Sequence, residues 1–262
     1  MLEPLARLAR TLRRLSALLA AAFYGLWRHR KLPRDASRAE CAVWLHESCA
    51  RGLRAIDVQV STTGQFPSSG LMVSNHLTYL DILAFSAAVP CVFVSKAEVN
   101  DWAIIGRYAR WAGTVFVVRH DRADAARANV SVSVSLKNGV PVVLCPDGTT
   151  TDGHSVLRFH STMLQPAIDS GAWITPCSIT YEIDEGDVGQ EVCWWGDMNL
   201  PAHMWNLLGK KIIRTRIAFG QPILATGDRK ELSHTLHERV VRLHEQLLGT
   251  RTGNPIATSV QG

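Results

Sequence analysis

The chain has 262 residues, 47% of them hydrophobic, a formal net charge of +5 and six cysteines. This length supports one large hydrophobic core and does not require a second catalytic domain. The cysteines lack the C-x-x-C spacing of zinc sites, and the signatures of dinucleotide-binding proteins, P-loop proteins, serine hydrolases and zinc proteases are missing. The positive charge favours an acidic partner, which could be an anionic lipid surface, a nucleic acid or a phosphorylated small molecule.

The first 34 residues place most of the excess positive charge beside an apolar run. On a helical wheel, leucines share one face and arginines the other: Leu5, Leu8, Leu12, Leu15 and Leu19 against Arg7, Arg10, Arg13 and Arg14. Residues 15–27 are apolar almost without interruption, but this run is shorter than the roughly 20 residues that a membrane-spanning helix needs. Trp27 suits the headgroup level of a bilayer, and the basic residues 28–31 suit lipid phosphates.

We therefore expect residues 1–52 to form an amphipathic helical segment that associates with one leaflet of a membrane, with a second helix over residues 37–50. Two other interpretations remain open at this point. A signal peptide also has a basic start, a short apolar run and small residues such as those at 20–22. An ordinary helix packed against the rest of the protein would have the same leucine stripe.

After residue 52, short apolar runs alternate with helix-like stretches, as expected for an α/β domain over residues 53–250 followed by a flexible tail, 251–262. The predicted strands are 53–60, 71–74, 91–95, 114–118, 140–145, 173–181, 192–198 and 211–219. The predicted helices are 79–88, 101–111, 122–138, 158–170 and 230–248. Residues 130–135 alternate Val and Ser like a strand, but the alanine-rich run before them and the Asn-Gly stop after them favour one helix.

The strand over residues 71–74 leads directly into Asn75 and His76, and Asp81 follows in the first turn of the next predicted helix. Ligand sites in α/β folds gather at the carboxyl ends of the strands. Asp81 can fold back toward the imidazole, fix its tautomer and stabilise the imidazolium that forms when His76 takes a proton. Taken alone, this spacing is also that of a histidine that merely caps a helix.

No serine, cysteine or other protein nucleophile is indicated beside this pair. The nucleophile is then the hydroxyl of a substrate, which His76 deprotonates as the hydroxyl attacks a thioester. This hypothesis predicts direct transfer without an acyl-enzyme.

Further polar groups follow other strands. Gly113 begins a block that ends in Arg119, whose guanidinium is a bidentate donor suited to phosphate. Asp147, Gly148 and Thr149 form a turn after a strand and offer a carboxylate, a hydroxyl and backbone N–H groups. Singly, each block could be a strand-end charge or an ordinary turn.

In order and spacing, these blocks resemble the glycerol-phosphate/lysophospholipid acyltransferase superfamily, and most closely its 1-acylglycerol-3-phosphate acyltransferase branch. The resemblance covers residues 71–222. It implies a mixed central sheet flanked by helices and an N-terminal two-helix membrane motif. It also implies a general base and its orienting carboxylate in an N-H-x4-D motif that is intact here: Asn75, His76 and Asp81.

The same resemblance implies substrate-binding roles beyond this motif. Gly113 and Arg119 match the family's G-x-x-F-x-x-R block, with acceptor phosphate bound by Arg119. Lys96 would be a supporting cation, and the segment around Pro176 would line the pocket. Asp147, Gly148 and Thr149 occupy the family's F-P-E-G-T-R block, and the resemblance implies that they bind substrate together with Asn75.

That third block departs from the family pattern at two positions, where Asp147 replaces Glu and Thr150 replaces Arg. The shorter carboxylate reaches less far, and loss of the arginine removes one phosphate ligand. The expected acceptor is 1-acyl-sn-glycerol-3-phosphate, giving phosphatidic acid. The alternatives are lyso-ornithine lipid or another lysolipid as acceptor, and a catalytically dead membrane-binding scaffold.

The resemblance further implies a thioester of acyl carrier protein or coenzyme A as acyl donor, with no cofactor and no metal. Nucleic acid is not an expected partner. We expect an enzyme of phospholipid biosynthesis, held peripherally or monotopically at the cytoplasmic face of the cell membrane.

Overall fold

The computed structural model describes residues 2–102, 104–118 and 122–250. The helices in this part of the chain are α1 (Leu2–His29), α2 (Arg38–Ala55), α3 (Leu80–Ala88), α4 (Ile105–Trp111), α5 (Arg122–Lys137), α6 (Gln165–Ser170), α7 (Val188–Glu191), α8 (Leu200–Leu208) and α9 (Arg229–Gly249). The strands are β1 (Val58–Thr63), β2 (Leu71–Val73), β3 (Val92–Lys96), β4 (Val115–Val117), β5 (Val142–Leu144), β6 (Trp173–Ile183), β7 (Ile213–Phe219) and β8 (Ile223–Leu224).

The strands form one mixed sheet in the order β1-β7-β6-β2-β5-β3-β4, with β8 paired to the start of β6. Five neighbouring strands, β6, β2, β5, β3 and β4, run parallel, so that their carboxyl ends lie at one edge. β7 runs antiparallel to β6, and β1 is parallel to β7. The predicted α/β class with a mixed central sheet flanked by helices is confirmed.

The central parallel strands are short and buried on both faces, which explains their continuous apolar sequences. All three residues of β2 and of β5 are buried. The core on one face of the sheet includes Trp44 and Leu53 from α2 and Phe85 from α3, and the core on the other face includes Val132 from α5 and Leu236 from α9. Residues 130–135 are helical within α5, as predicted.

Several predicted elements differ from the structure. The predicted strand 53–60 begins later, at Val58, because α2 continues to Ala55 and buries Leu53 in the core. α2 therefore crosses the proposed boundary between residues 52 and 53. The predicted helices 101–111 and 158–170 begin at Ile105 and Gln165, each after a short 3-10 helix: Ala97–Asp101 and Thr162–Leu164. The helices α7 and α8 were not predicted, and the proposed tail 251–262 lies outside the described residues.

The predicted strand 192–198 was wrong. Val192 and Cys193 are buried and the tryptophans after them are half-buried, but the segment is irregular and does not join the sheet. The backbone N–H of Trp194 donates to the carbonyl of Leu77 at 2.9 Å. The indole N–H of Trp194 bonds the carbonyl of Met198, and the chain turns at Gly196 with a φ of 59°. Burial, without strand pairing, accounts for the apolar sequence.

α1 and α2 form a helical hairpin, with α1 lying against α2 and α8. The arginine side of α1 faces the protein: the Arg14 side chain is 1% exposed, bonds Asp57 and donates to the carbonyl of Leu208 at 3.1 Å. Arg10 donates to the carbonyl of Gly209 at 2.6 Å. The opposite side presents large apolar residues to solvent: Leu5, Leu8, Leu12, Leu19, Phe23 and Trp27. Among the helices described, none is both long enough and apolar enough to cross a membrane.

Candidate active site

The difference in length between β2 and β6 shapes the base of the site. β2 ends at Val73, opposite Pro176, whereas β6 continues to Ile183. Asn75 fills the resulting gap in the sheet with its side chain. Its amide Nδ2 donates to the Ile179 carbonyl at 3.1 Å, and its Oδ1 accepts the Ile179 N–H at 3.0 Å. Asn75 therefore continues the strand pairing through its side chain and fixes the backbone that leads into His76.

His76 and Asp81 form the predicted pair. The imidazole Nδ1 lies 2.7 Å from Asp81 Oδ2, with the Asp81 side chain buried and that of His76 25% exposed. The backbone N–H groups of Leu77 and Thr78 also donate to Oδ2, at 2.6 and 3.1 Å. Asp81 lies in the first turn of α3, where the helix dipole favours a negative charge.

Tyr181 completes the surroundings of Asp81, and the sequence did not reveal it. Its hydroxyl donates to Asp81 Oδ1 at 2.6 Å, so that donors reach both carboxylate oxygens. Burial raises the pKa of Tyr181, which keeps its hydroxyl protonated as a donor. The nearest sequence signal was its position at the end of an apolar strand.

Asp147 lies on the loop that follows β5 and holds the backbone of His76. Its Oδ2 accepts the His76 N–H at 2.8 Å, and the Thr151 N–H of the same loop donates to the His76 carbonyl at 3.2 Å. Burial raises the pKa of Asp147 to about 7, although the charge of His76 and the bond from its backbone N–H act to lower this pKa. Gly148, with a φ of 76°, supplies the left-handed turn at the start of this loop.

The remaining predicted substrate-binding residues are more scattered. Lys96 is exposed at the carboxyl end of β3, the edge of the sheet from which His76 emerges, and Thr149 is exposed on the loop after Asp147. Gly113 precedes β4 and so lies at the opposite edge, where its carbonyl accepts a 3.2 Å bond from Arg38. Arg119 lies outside the described residues. The structure thus brings Asn75, His76, Asp81 and Asp147 together, but does not bring Gly113 to them.

The geometry of the pair defines its chemistry. A carboxylate accepts a hydrogen bond, so His76 carries a proton on Nδ1 and its lone pair is on Nε2. Nε2 is therefore the nitrogen that can take a proton, and Asp81 stabilises the imidazolium that results. This arrangement is a general base with a fixed tautomer.

Known proteins resemble this chain in both sequence and fold. A family model described as Acyltransferase matches residues 57–180. A lyso-ornithine lipid O-acyltransferase of Pseudomonas aeruginosa is 32% identical, covering 75% of this chain and 75% of its own length. A 1-acyl-sn-glycerol-3-phosphate acyltransferase of Neisseria meningitidis is 31% identical, covering 64% of this chain and 66% of its own length.

One solved structure matches over nearly the whole chain. The 1-acyl-sn-glycerophosphate acyltransferase PlsC from Thermotoga maritima superposes with a TM-score of 0.71 over 96% of this chain and 100% of its own, at 20% identity. At that identity the likeness supports the fold. Together with the sequence relatives, it confirms the resemblance that the ordered motifs indicated: the chain is an acyltransferase and belongs to the acyltransferase family that contains these lysolipid enzymes.

Proposed function

We propose that this protein transfers a fatty acyl group from a thioester to the hydroxyl of a lysolipid, with His76 as the general base. The hydrogen bond between His76 Nδ1 and Asp81 carries this proposal. Nε2 takes the proton of the acceptor hydroxyl, whose oxygen attacks the thioester carbonyl carbon. The tetrahedral intermediate then collapses, the C–S bond breaks, and the imidazolium returns the proton to the departing thiolate. The products are an ester and a free thiol.

Two acceptors are supported by different observations. The relative from Neisseria meningitidis is named for 1-acyl-sn-glycerol-3-phosphate, and the match of Arg119 to the last residue of a phosphate-binding block favours this acceptor. Lyso-ornithine lipid is favoured by Thr150, which replaces an arginine of that family's third block, and by relatives named for it in Pseudomonas aeruginosa and Brucella abortus. The donor in either reaction is a thioester of coenzyme A or of acyl carrier protein.

The protein acts at a membrane surface, where its lipid acceptor resides. Support for this comes from the orientation of α1, whose apolar side is exposed although its arginine side is bonded to the protein. Phe23 and Trp27 on this side are 69% and 52% exposed. An apolar helix face of this kind suits the boundary between headgroups and acyl chains.

The deciding experiment measures thiol release from acyl-coenzyme A and from acyl carrier protein in detergent micelles, with lysophosphatidate or lyso-ornithine lipid as acceptor. His76→Ala should lose about 10²- to 10⁴-fold in turnover. His234→Ala, an exposed histidine on α9, is the matched control and should keep wild-type turnover.

The acceptor that supports His76-dependent release identifies the reaction. Release with lysophosphatidate establishes a phosphatidate-forming enzyme, and release with lyso-ornithine lipid alone assigns the altered third block to that acceptor. The proposal fails if folded wild-type protein releases no thiol with any lysolipid, or if His76→Ala retains near-normal turnover.

A further inference from the structure

The C-terminal helix α9 holds the loop that contains Asp147. Three α9 side chains bond successive carbonyls of this loop: Ser233 Oγ to Phe159 at 3.1 Å, His237 Nε2 to Val156 at 3.2 Å and His244 Nε2 to Gly153 at 2.9 Å. The loop and the helix thus run past each other in opposite directions. α9 lies outside residues 57–180, the segment that matches the family model.

His244 alone among these three also reaches the strand behind His76. It is 3% exposed, and its Nδ1 lies 3.2 Å from Ser178 Oγ. Ser178 Oγ lies 3.2 Å from Asn75 Oδ1, and Asn75 immediately precedes His76. A chain of side-chain contacts therefore runs from the Asp147 loop through His244 and Ser178 to Asn75.

The tautomer of His244 follows from its partners. The carbonyl of Gly153 can only accept, so Nε2 carries the hydrogen. Burial lowers the pKa of His244, which favours the neutral ring, so that Nδ1 can only accept. Ser178 Oγ has a single hydrogen, which it donates either to Asn75 Oδ1 or to His244 Nδ1, both at 3.2 Å. His244 thus donates to the loop through Nε2 and contacts β6 through Nδ1.

The loop at one end of this chain of contacts and Asn75 at the other both fix the backbone of His76. Asp147 accepts the His76 N–H, and Asn75 sets the strand from which His76 emerges. We propose that His244 is a positioning residue, which acts through Gly153 and Ser178 to hold the Asp147 loop in register with His76. This inference rests on the proposed function for its kinetic test, but its structural test does not need activity.

The kinetic test compares His244→Phe with His234→Phe, the same change at an exposed position of α9. His244→Phe should lower kcat about 10- to 100-fold, because small displacements of a catalytic group are costly, while KM for the thioester changes little. His244→Gln restores a donor for Gly153 and should recover part of kcat. Ser178→Ala removes the contacts of this hydroxyl with His244 and with Asn75, leaves the bond from His244 to Gly153 in place, and should also lower kcat.

The structural test measures hydrogen–deuterium exchange over residues 147–160, together with thermal unfolding of each variant. His244→Phe should speed exchange in this loop, and Ser178→Ala and His234→Phe should not.

Inactive wild-type protein would overturn the proposed function, while faster loop exchange in His244→Phe would still support the role of His244 in holding the loop. Unchanged exchange, or a folded His244→Phe with kcat within twofold of wild type, overturns the inference. If His244→Phe does not fold, the other two variants decide: the inference is overturned when His244→Gln and Ser178→Ala both have the kcat of wild type.

Discussion

The Tyr181 hydroxyl donates a 2.6 Å hydrogen bond to Asp81, although the two residues lie 100 positions apart in the sequence. Both side chains are buried. In Tyr181→Phe, Asp81 Oδ1 would remain buried without this donor, at a cost of about 1–3 kcal/mol in the free energy of unfolding.

We expect Tyr181→Phe to lower kcat about tenfold, less than the loss of the base itself, because Asp81 keeps three donors on its other oxygen. The measurements are urea unfolding and thiol release. Tyr108→Phe is the matched control, since the Tyr108 hydroxyl bonds the Ala22 carbonyl of α1 instead of Asp81. An equal loss of kcat in both variants would contradict a specific role for Tyr181.

Asp147 makes stability depend on pH. Burial raises its pKa from 3.8 to about 7, so the folded protein binds this proton more tightly than the unfolded chain. The associated stabilisation is complete below about pH 4 and is lost as the pH rises through about 7. Asp147→Asn stays neutral and still offers an oxygen to the His76 N–H.

The stability of Asp147→Asn relative to wild type should therefore increase between pH 5 and pH 8, by up to about 3 kcal/mol, because the pKa of about 7 lies about two pH units above the lower end of this range. Urea unfolding at pH 5, 6, 7 and 8 measures the difference. Asp169→Asn, an exposed carboxylate that bonds Gln165 at 2.8 Å, provides the control. A pH-independent difference between wild type and Asp147→Asn would show that the carboxyl titrates normally.

The pair His76 and Asp81 could be predicted from the sequence because its geometry is local. A strand, a loop and one helical turn determine where the two side chains meet, and all three have sequence signals. The sheet was predictable for the same reason, since its central strands are continuous apolar runs.

The supporting residues could not be predicted, because their roles depend on which elements become neighbours. Tyr181 and Ser178 lie on β6, and His244 on α9 reaches β6 across the packed core. Their side chains are common constituents of strands and helices, and only the fold gives them partners. The prediction of a strand over residues 192–198 was wrong for a related reason. Val192 and Cys193 are buried outside the sheet, and a short apolar run of this kind has the same sequence pattern as a buried strand.

Thr150 should govern the choice of acceptor. An arginine at this position would supply a charge-assisted hydrogen bond to a phosphate, worth about 1.5–3 kcal/mol. Thr150→Arg should raise kcat/KM for lysophosphatidate relative to lyso-ornithine lipid by about tenfold or more. Thr235→Arg adds the same charge at an exposed position of α9 and is the control. An unchanged ratio in Thr150→Arg, or the same change in both variants, would remove Thr150 from acceptor recognition.

The exposed side of α1 should determine membrane binding. Leu8 and Leu12 are exposed one turn apart, whereas Arg14 on the other side is bonded to the body of the protein. Leu8→Glu combined with Leu12→Glu places two carboxylates where we propose that acyl chains lie, and it leaves the arginine contacts intact. We expect this double variant to lose most of its partitioning into anionic liposomes in a sedimentation assay.

The control makes the same chemical change elsewhere on the surface. Val130 and Val134 are exposed on α5, one turn apart like the two leucines, and their replacement by Glu should leave partitioning unchanged. Thiol release in detergent micelles should survive in both double variants, because neither alters His76 or its partners. If the α1 variant sediments with liposomes like wild type, the leucine side of α1 is not the membrane-binding surface. If the α5 variant loses binding equally, the effect comes from added negative charge and not from loss of an inserted apolar face.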